Sequence, residues 1–387
     1  MRNSITFAVI LSSMMICSCK QSTQNANKVV VVNDDDAIEV NFEDVATKVR
    51  VVPLVSDEPI GSFRNIVCYG NELVAVDNDR KTFYYFVDGE LVSKMNHAGR
   101  GRGEYLQVIR FAYSPSRKVI YVVTDNKILW YSIPGMNYIG STPISTKLEF
   151  LSLHDDDNFF AAINNNGRCI TALVDIKTGE ITKEVEEISM HNFAESNISM
   201  SSYSIQNHYY SKTDYNNSIV SVTTKNEVDT LLKYNFGGKS IPEEYMNYDL
   251  NNMDPFVKLF EYMDKNGRTT LLGNQFLRIR DNEISFWYYY AIGSNGEKFY
   301  YRYNPDDNTS VNLKGFRIKG INRPIVPFAL SDDGYVTVFE GTLDMIIDPD
   351  TEPSPLAKQI IKAMEEQKDE NPVLLYFDIK KTLKRKL

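Results

Sequence analysis

From about residue 29 the chain is a succession of short apolar runs, four to eight residues long, separated by Asn, Asp and Gly. Val, Ile, Tyr and Phe fill the runs, which is the composition of strands and turns. One run recurs, as Asn71–Asp77 (NELVAVD), Lys118–Asp125 (KVIYVVTD), Asn158–Ile163 (NFFAAI), Asn207–Ser211 (NHYYS), Glu283–Tyr288 (EISFWY) and Asp333–Phe339 (DGYVTVF). Counted from residues 73, 119, 159, 208, 284 and 335, the spacings are 46, 40, 49, 76 and 51 residues. Each copy follows a polar turn, such as 69–71, 155–157 or 331–333, and further strand-like runs follow it, such as Lys81–Val87 and Leu91–Lys94. Asp88-Gly89 and Thr178-Gly179-Glu180 sit between runs as hairpin turns do. Four strands in 40 to 50 residues, repeated six times, predict an all-β fold, a six-bladed β-propeller. A β-sandwich needs no repeat, and a β-helix repeats at a much shorter period.

The 76-residue interval breaks the rhythm. Residues 240–272 fill it, and Phe256, Leu259, Phe260 and Met263 fall at i, i+3, i+4 and i+7. That spacing predicts a helical insertion. A second helix is predicted over Pro355–Gln367, with Leu356, Ile360, Ile361 and Met364 on one side. Pro372–Ile379 (PVLLYFDI) then returns as a strand that completes the last blade and removes an open sheet edge.

The first residues read differently. Arg2 precedes an apolar run, Ile5–Ile16, that is too short to span a bilayer and ends in Cys17-Ser18-Cys19. The ending resembles the lipobox of bacterial lipoproteins, which implies that residues 1–18 are a signal peptide and that the thiol of Cys19 carries the lipid; an ordinary secretory peptide with an incidental cysteine is the alternative. Residues 19–28 are a polar tether, and residues 29–387 are the propeller. Lys20 is not the Asp of inner-membrane retention, and no acidic cluster for surface export follows within a dozen residues. The expected place is the outer membrane, facing the periplasm, with exposure at the cell surface as the alternative.

Cutting after residue 18 of 387 leaves 369 residues and, with Arg2 gone, moves the formal charge from −9 to −10. An acidic chain lacks the basic face a nucleic-acid partner requires. The basic C-terminal residues Lys380-Lys381 and Lys384-Arg385-Lys386 read as a solvated tail. Beyond the anchor only Cys68 and Cys169 remain. An oxidising compartment permits a bridge between them, but apolar strand contexts favour two separate buried thiols.

The sequence also resembles a known family, the six-bladed β-propeller lipoproteins related to NHL-repeat propellers. Val51-Val52-Pro53-Leu54 and Ile60–Phe63, the segment Gly99-Arg100-Gly101-Arg102-Gly103-Glu104-Tyr105, the strands with Val76-Asp77-Asn78 and Thr124-Asp125-Asn126, and Asp369–Leu375 carry the resemblance. Gly237–Tyr245 and Gly315–Gly320 are weaker versions of the glycine-rich segment. The resemblance implies the fold and places the glycine-rich segment between the outer strand of one blade and the inner strand of the next, near the ligand-facing rim. It implies a binding protein and no defined ligand.

That segment is the leading candidate site. Alternating glycines allow close approach, and Arg100, Arg102 and Glu104 offer charge to a ligand, with a purely structural turn as the alternative. It opens no helix and so is neither a dinucleotide fingerprint nor a phosphate loop. Trp287 and Tyr288 are the second candidate, as an aromatic surface for sugars or peptides, with core packing as the alternative. His97, His154, His191 and His208 lack metal-ligand spacing, the acidic runs lack a calcium-loop pattern, and no nucleophile elbow is present. No metal or cofactor is expected. The composite expectation is a lipid-anchored, monomeric, non-catalytic binding or scaffold protein taking a glycan or a protein or peptide ligand. The alternatives are a propeller hydrolase or lyase acting on a glycan or lactone, and an accessory protein of an outer-membrane transport complex.

Overall fold

A computed structural model describes residues 29–33, 35–77, 79, 81–165, 168–188, 200–205, 208–213, 218–223, 227–239, 257–258, 261–262, 265, 270–290, 298–367 and 371–381. Six sheets, each built on four antiparallel strands, form the six blades of a β-propeller. Blade 1 is Phe63–Tyr69, Glu72–Asp77, Thr82–Val87 and Glu90–Asn96, inner to outer. Blade 2 is Arg110–Ser114, Val119–Val123, Lys127–Ser132 and Asn137–Pro143, and blade 3 is Lys147–Leu153, Asn158–Asn165, Arg168–Asp175 and Ile181–Ile188. Blade 4 runs Met200–Ile205, His208–Thr213, Ser218–Thr223 and Val228–Asn235, and blade 5 Thr270–Arg280, Glu283–Tyr290, Lys298–Asn304 and Thr309–Arg317. Every recurring run of the sequence is the second strand of its blade.

Blade 6 joins the two ends of the chain. Ala329–Ser331, Gly334–Phe339 and Val373–Ile379 form its first three strands, and β3 (Ala46–Pro53), from the N-terminal segment, is the fourth. Val373 pairs with Pro53, and Ile379 with Ala46. The predicted closing strand is therefore present, and an N-terminal strand seals it.

Two shorter strands precede β3. β1 (Val29–Val31) adds in parallel outside the outer strand of blade 4, with Val29 opposite Lys233 and Val31 opposite Asn235. β2 (Ile38–Asn41) does the same on blade 5, with Ile38 opposite Leu313. Residues 29–53 are thus a belt across the rims of blades 4, 5 and 6. Beyond it, Val55 bridges to Glu90 at the edge of blade 1. The sequence reading assigned residues 29 onward to the propeller without distinguishing this belt.

The core lies between blades. Val74, Val76, Phe83 and Tyr85 of blade 1 pack on Phe111, Tyr113, Ile120 and Val122 of blade 2. Leu73, Ala75 and Phe86, on the other side of the same blade, pack on Val336, Val338 and Leu374 of blade 6. Both faces of a blade are buried, so its middle strands lose the alternation of a half-exposed sheet and read as continuous apolar runs.

Turn chemistry matches the sequence where it was legible. Asp88 and Gly89 both take positive φ, 52° and 87°, as a two-residue hairpin turn of the I′ kind demands. A β-carbon on Gly89 would stand 2.6 Å from the Pro53 carbonyl oxygen. The position therefore needs glycine both for its φ and for the crossing chain.

The predicted C-terminal helix is α3 (Pro355–Glu365), after the single-turn helices α1 (Phe42–Val45) and α2 (Leu343–Ile346). Ser354 caps α3 by accepting from the Ala357 N–H at 3.1 Å, and Pro355 occupies its first turn. Its buried face is Ala357 and Ile360, with Leu356, Ala363 and Met364 packed partly against the core between blades 5 and 6. Most of the predicted insertion lies outside the described residues. Within it Val257, Lys258, Glu261, Tyr262 and Lys265 are helical, and residues 270–272, expected in the insertion, open the inner strand of blade 5.

Candidate functional site

Alternate connections of an antiparallel sheet leave from opposite ends. First-to-second and third-to-fourth turns share one end of each blade; second-to-third and blade-to-blade connections share the other. At the first end the described connections within blades are hairpins of two to five residues. At the other end lie the long connections among the described residues, 54–62, 97–109, 318–328 and 340–367. A propeller needs only short links to close, so this excess of chain marks one loop-bearing face.

The glycine-rich segment lies within 97–109, between the outer strand of blade 1 and the inner strand of blade 2, as the resemblance implied. Its backbone folds on itself. The Gly99 N–H donates to the Tyr105 carbonyl at 3.0 Å, the Tyr105 N–H to the His97 carbonyl at 3.0 Å, and the Glu104 N–H to the Gly101 carbonyl at 3.2 Å. The Glu104 carboxylate accepts from the Gly101 N–H at 2.6 Å. A β-carbon on Gly99 would fall 2.0 Å from that carboxylate, and one on Gly103, at φ 77°, would strike the Tyr138 ring. The glycines therefore make room for side chains of this protein. Tyr105 is buried between blades 1 and 2 and donates through its hydroxyl to the Lys81 carbonyl at 2.6 Å. Burial pushes its pKa up to about 12. The Tyr131 hydroxyl holds the Gly103 carbonyl at 2.7 Å.

What this scaffold presents is charge. Arg100 and Arg102 are exposed on the folded loop, and the Arg102 guanidinium lies over the Tyr138 ring, 6.0 Å from its centroid. Glu104 is turned inward as the loop's own acceptor.

Trp287 and Tyr288 are placed elsewhere. Trp287 is 3% exposed, between blades 5 and 6, with ring centroids 4.6 Å from Phe316, 5.5 Å from Tyr300 and 5.9 Å from Tyr335. Tyr288, next along the strand, points the opposite way between blades 4 and 5. It is 1% exposed, stacks on Phe299 at 5.0 Å, and its hydroxyl accepts from Asn312 Nδ2 at 2.6 Å. Neither ring has a face open to solution, and the structure does not bring them to the glycine-rich segment. Their environment is the core alternative weighed for them above.

At the hairpin end of blade 5 a cavity of about 260 Å³ is lined by Glu283, Arg302, Asn304, Asp307, Thr309 and Lys381 among others. Sequence reasoning missed it. Arg302 is mostly buried and fastens the C-terminal segment, donating to the Lys380 carbonyl at 2.8 Å and the Lys381 carbonyl at 2.5 Å. Asp307 is held by its own turn, accepting from the Thr309 N–H at 3.0 Å and hydroxyl at 2.6 Å. These hydrogen bonds, the hydroxyl's first, lower its carboxyl pKa. Alternating turn residues along 304–309 carry no distinctive motif, so nothing in the sequence singled the cavity out.

Cys68 is a free, buried thiol on the inner strand of blade 1. Burial raises its pKa to about 12, against the opposing hydrogen bond with Tyr376, so it is unsuited to act as a nucleophile. Cys169 lies on the third strand of blade 3. Among the described residues no three His, Cys, Asp or Glu side chains gather as a metal site, and no helix is long and apolar enough to cross a membrane.

The sequence profile of a family described as a domain of unknown function (DUF4934) matches residues 26–378, from the end of the tether through the closing strand. The chain belongs to this family. No curated protein matches it. Among solved structures, this DUF4934 protein is similar to a Bacteroides fragilis protein named as exported, at 16% identity and a TM-score of 0.66, over 92% of this chain and 100% of that one. It is also similar to a DUF4221-family member from Bacteroides vulgatus, at 12% identity and a TM-score of 0.54, over 87% and 98% of the two chains. At these identities the likeness is one of fold.

Proposed function

We propose that this DUF4934 protein is a lipid-anchored, non-catalytic binding or scaffold propeller of the bacterial cell envelope, and that it takes its ligand on the loop-bearing face. The observation that carries the reading is the asymmetry of the connections, with every long link among the described residues at one end of the blades. The lipobox-like Cys19, the likeness to NHL-related propeller lipoproteins and the exported Bacteroides fragilis neighbour support the envelope address. The outer membrane remains the proposed site of the anchor, with the domain in the periplasm.

Of the two ligand classes, the site favours a protein or peptide segment bearing negative charge. Arg100 and Arg102 stand exposed on the folded loop, while the aromatic pair offered for sugars or peptides is buried, so the site presents positive charge and not a stacking surface. The test is a thermal-shift screen of the mature chain against acidic peptides, neutral peptides and glycans. A ligand selective for the folded state raises stability by about 2.7 kcal/mol at a hundredfold excess over its Kd. Stabilisation by acidic peptides that disappears in Arg100→Ala/Arg102→Ala is expected. Stabilisation by glycans alone would overturn the peptide reading, and turnover of any ligand would overturn the non-catalytic one.

A further inference from the structure

The belt determines where a tether leaves the ring. β1 is the outermost strand of blade 4, and the Val32 N–H continues its pairing by donating to the Asn235 carbonyl at 2.8 Å. Lys239 Nζ holds Asp35 at 3.0 Å, and Asn312 Nδ2 donates to the Asn33 carbonyl at 2.8 Å. The segment is thus fastened to blades 4 and 5, and its first described residue, Val29, stands at the rim, away from the axis.

Resting on the lipid-anchored reading above, we propose that the bilayer lies against the rim of blades 4 and 5, and that the glycine-rich segment between blades 1 and 2 is turned away from it into the aqueous compartment. The argument is one of length. Ten residues, 19–28, reach at most about 35 Å, and a flexible polar chain of that length has a root-mean-square span of about 18 Å. A domain of this size has a radius of gyration of about 20 Å and a width of about 50 Å. Blade 1 lies across the ring from blade 4. Seating blade 1 on the bilayer would lift Val29 farther from the membrane than the extended tether reaches.

Chemistry at the rim agrees. The tether's charged residues are Lys20 and Lys28, both suited to anionic headgroups. Val29, Val31 and Ile38 are 49%, 57% and 43% exposed on the belt, so apolar side chains flank the point of attachment. In this orientation the arginines of the glycine-rich segment meet ligands arriving from solution, not lipids of the anchoring leaflet.

The test uses the full mature lipoprotein on phosphatidylethanolamine–phosphatidylglycerol vesicles carrying a headgroup quencher. A fluorophore is placed at Val31→Cys or Leu106→Cys in a Cys169→Ser background. Strong quenching at position 31 and weak quenching at 106 are expected, and a Gly-Ser spacer about twice the tether's length, inserted after Lys28, should reduce the difference. Equal or stronger quenching at 106 with the native tether overturns the docking. The mass of the N-terminal peptide separates the two claims: an acylated Cys19 with quenching at 106 sinks only the docking, whereas an unmodified Cys19 sinks the anchor and the docking with it.

Discussion

The Arg278 guanidinium donates to the Asp378 carboxylate at 2.7 Å, joining the inner strand of blade 5 to the third strand of blade 6. Arg280 donates to the other oxygen at 3.1 Å, so one carboxylate holds two arginines together at the seam. The Arg278 side chain is 4% exposed and that of Asp378 14%, a setting in which loss of one partner is expensive. Asp378→Ala is expected to destabilise the protein by about 3 kcal/mol or more in urea unfolding. Asp378→Asn, which keeps one acceptor, should lose less. A loss below about 1 kcal/mol would mean the seam behaves as a surface pair.

Glu72 performs a similar task between blades 1 and 2. Its carboxylate accepts from the Tyr85 hydroxyl at 2.6 Å and the Tyr113 hydroxyl at 2.7 Å, and pairs with Lys118. Burial acts to raise its pKa, but the hydrogen bonds from Lys118, Tyr85 and Tyr113 together outweigh burial, and the carboxyl sits below its ordinary value. A depressed folded pKa stabilises the protein above the unfolded carboxylate pKa, and that contribution is lost as pH falls through the folded one. Glu72→Gln should therefore cost about 2 kcal/mol at neutral pH. Its deficit against the wild type should shrink on acidification below the ordinary carboxylate range. Denaturant midpoints measured across pH check both the size and the sign.

Two glycines separate backbone strain from crowding. Gly70 has φ 57° with open space around its missing side chain, whereas Gly89 has φ 87° and the Pro53 carbonyl 2.6 Å from a β-carbon. Gly70→Ala is expected to cost about 1 kcal/mol through its φ alone. Gly89→Ala must also displace the chain that leads from β3 to blade 1, and its melting temperature should fall well below that of the Gly70 variant. Equal melting temperatures would show that the crossing chain yields freely.

Within the glycine-rich segment, structure and binding divide by residue. Arg100→Ala and Arg102→Ala remove exposed side chains and should leave stability within about 0.5 kcal/mol of wild type. Acidic-peptide affinity should fall in both. Glu104→Ala removes the acceptor of the Gly101 N–H and should lower stability and binding together. Calorimetry of folding alongside peptide titration distinguishes the two classes.

Cys68 offers a probe of global opening. With its thiol buried and its pKa pushed up to about 12, it should resist iodoacetamide at pH 8 in the native protein and react once denaturant unfolds the ring. Rapid native labelling of Cys68, read by peptide mass, would show that blades 1 and 6 part without global unfolding.

Periodicity and turn chemistry were legible in the chain. The six recurring runs are the second strands of six blades, Asp88-Gly89 is a hairpin turn, Pro355 opens the last helix and Val373–Ile379 enters the final blade. The place of the glycine-rich segment, between an outer and an inner strand, was also readable from its resemblance to other propellers. Trp287 and Tyr288 were not separable into surface and core by sequence, because adjacent residues of a strand buried on both faces are equally apolar. One ring packs toward blade 6 and its neighbour toward blade 4.

The amino-acid sequence by itself determined the number of blades and the strand-and-turn rhythm, because these follow from local hydrogen-bonding needs and residue period. Only the tertiary structure decided that Val29–Val31 and Ile38–Asn41 lie on blades 4 and 5, and that Ala46–Pro53 closes blade 6. A short extended segment can add to any unpaired strand edge of suitable length. Which edge it takes depends on where the ring has already brought those edges, and that is a property of the folded whole.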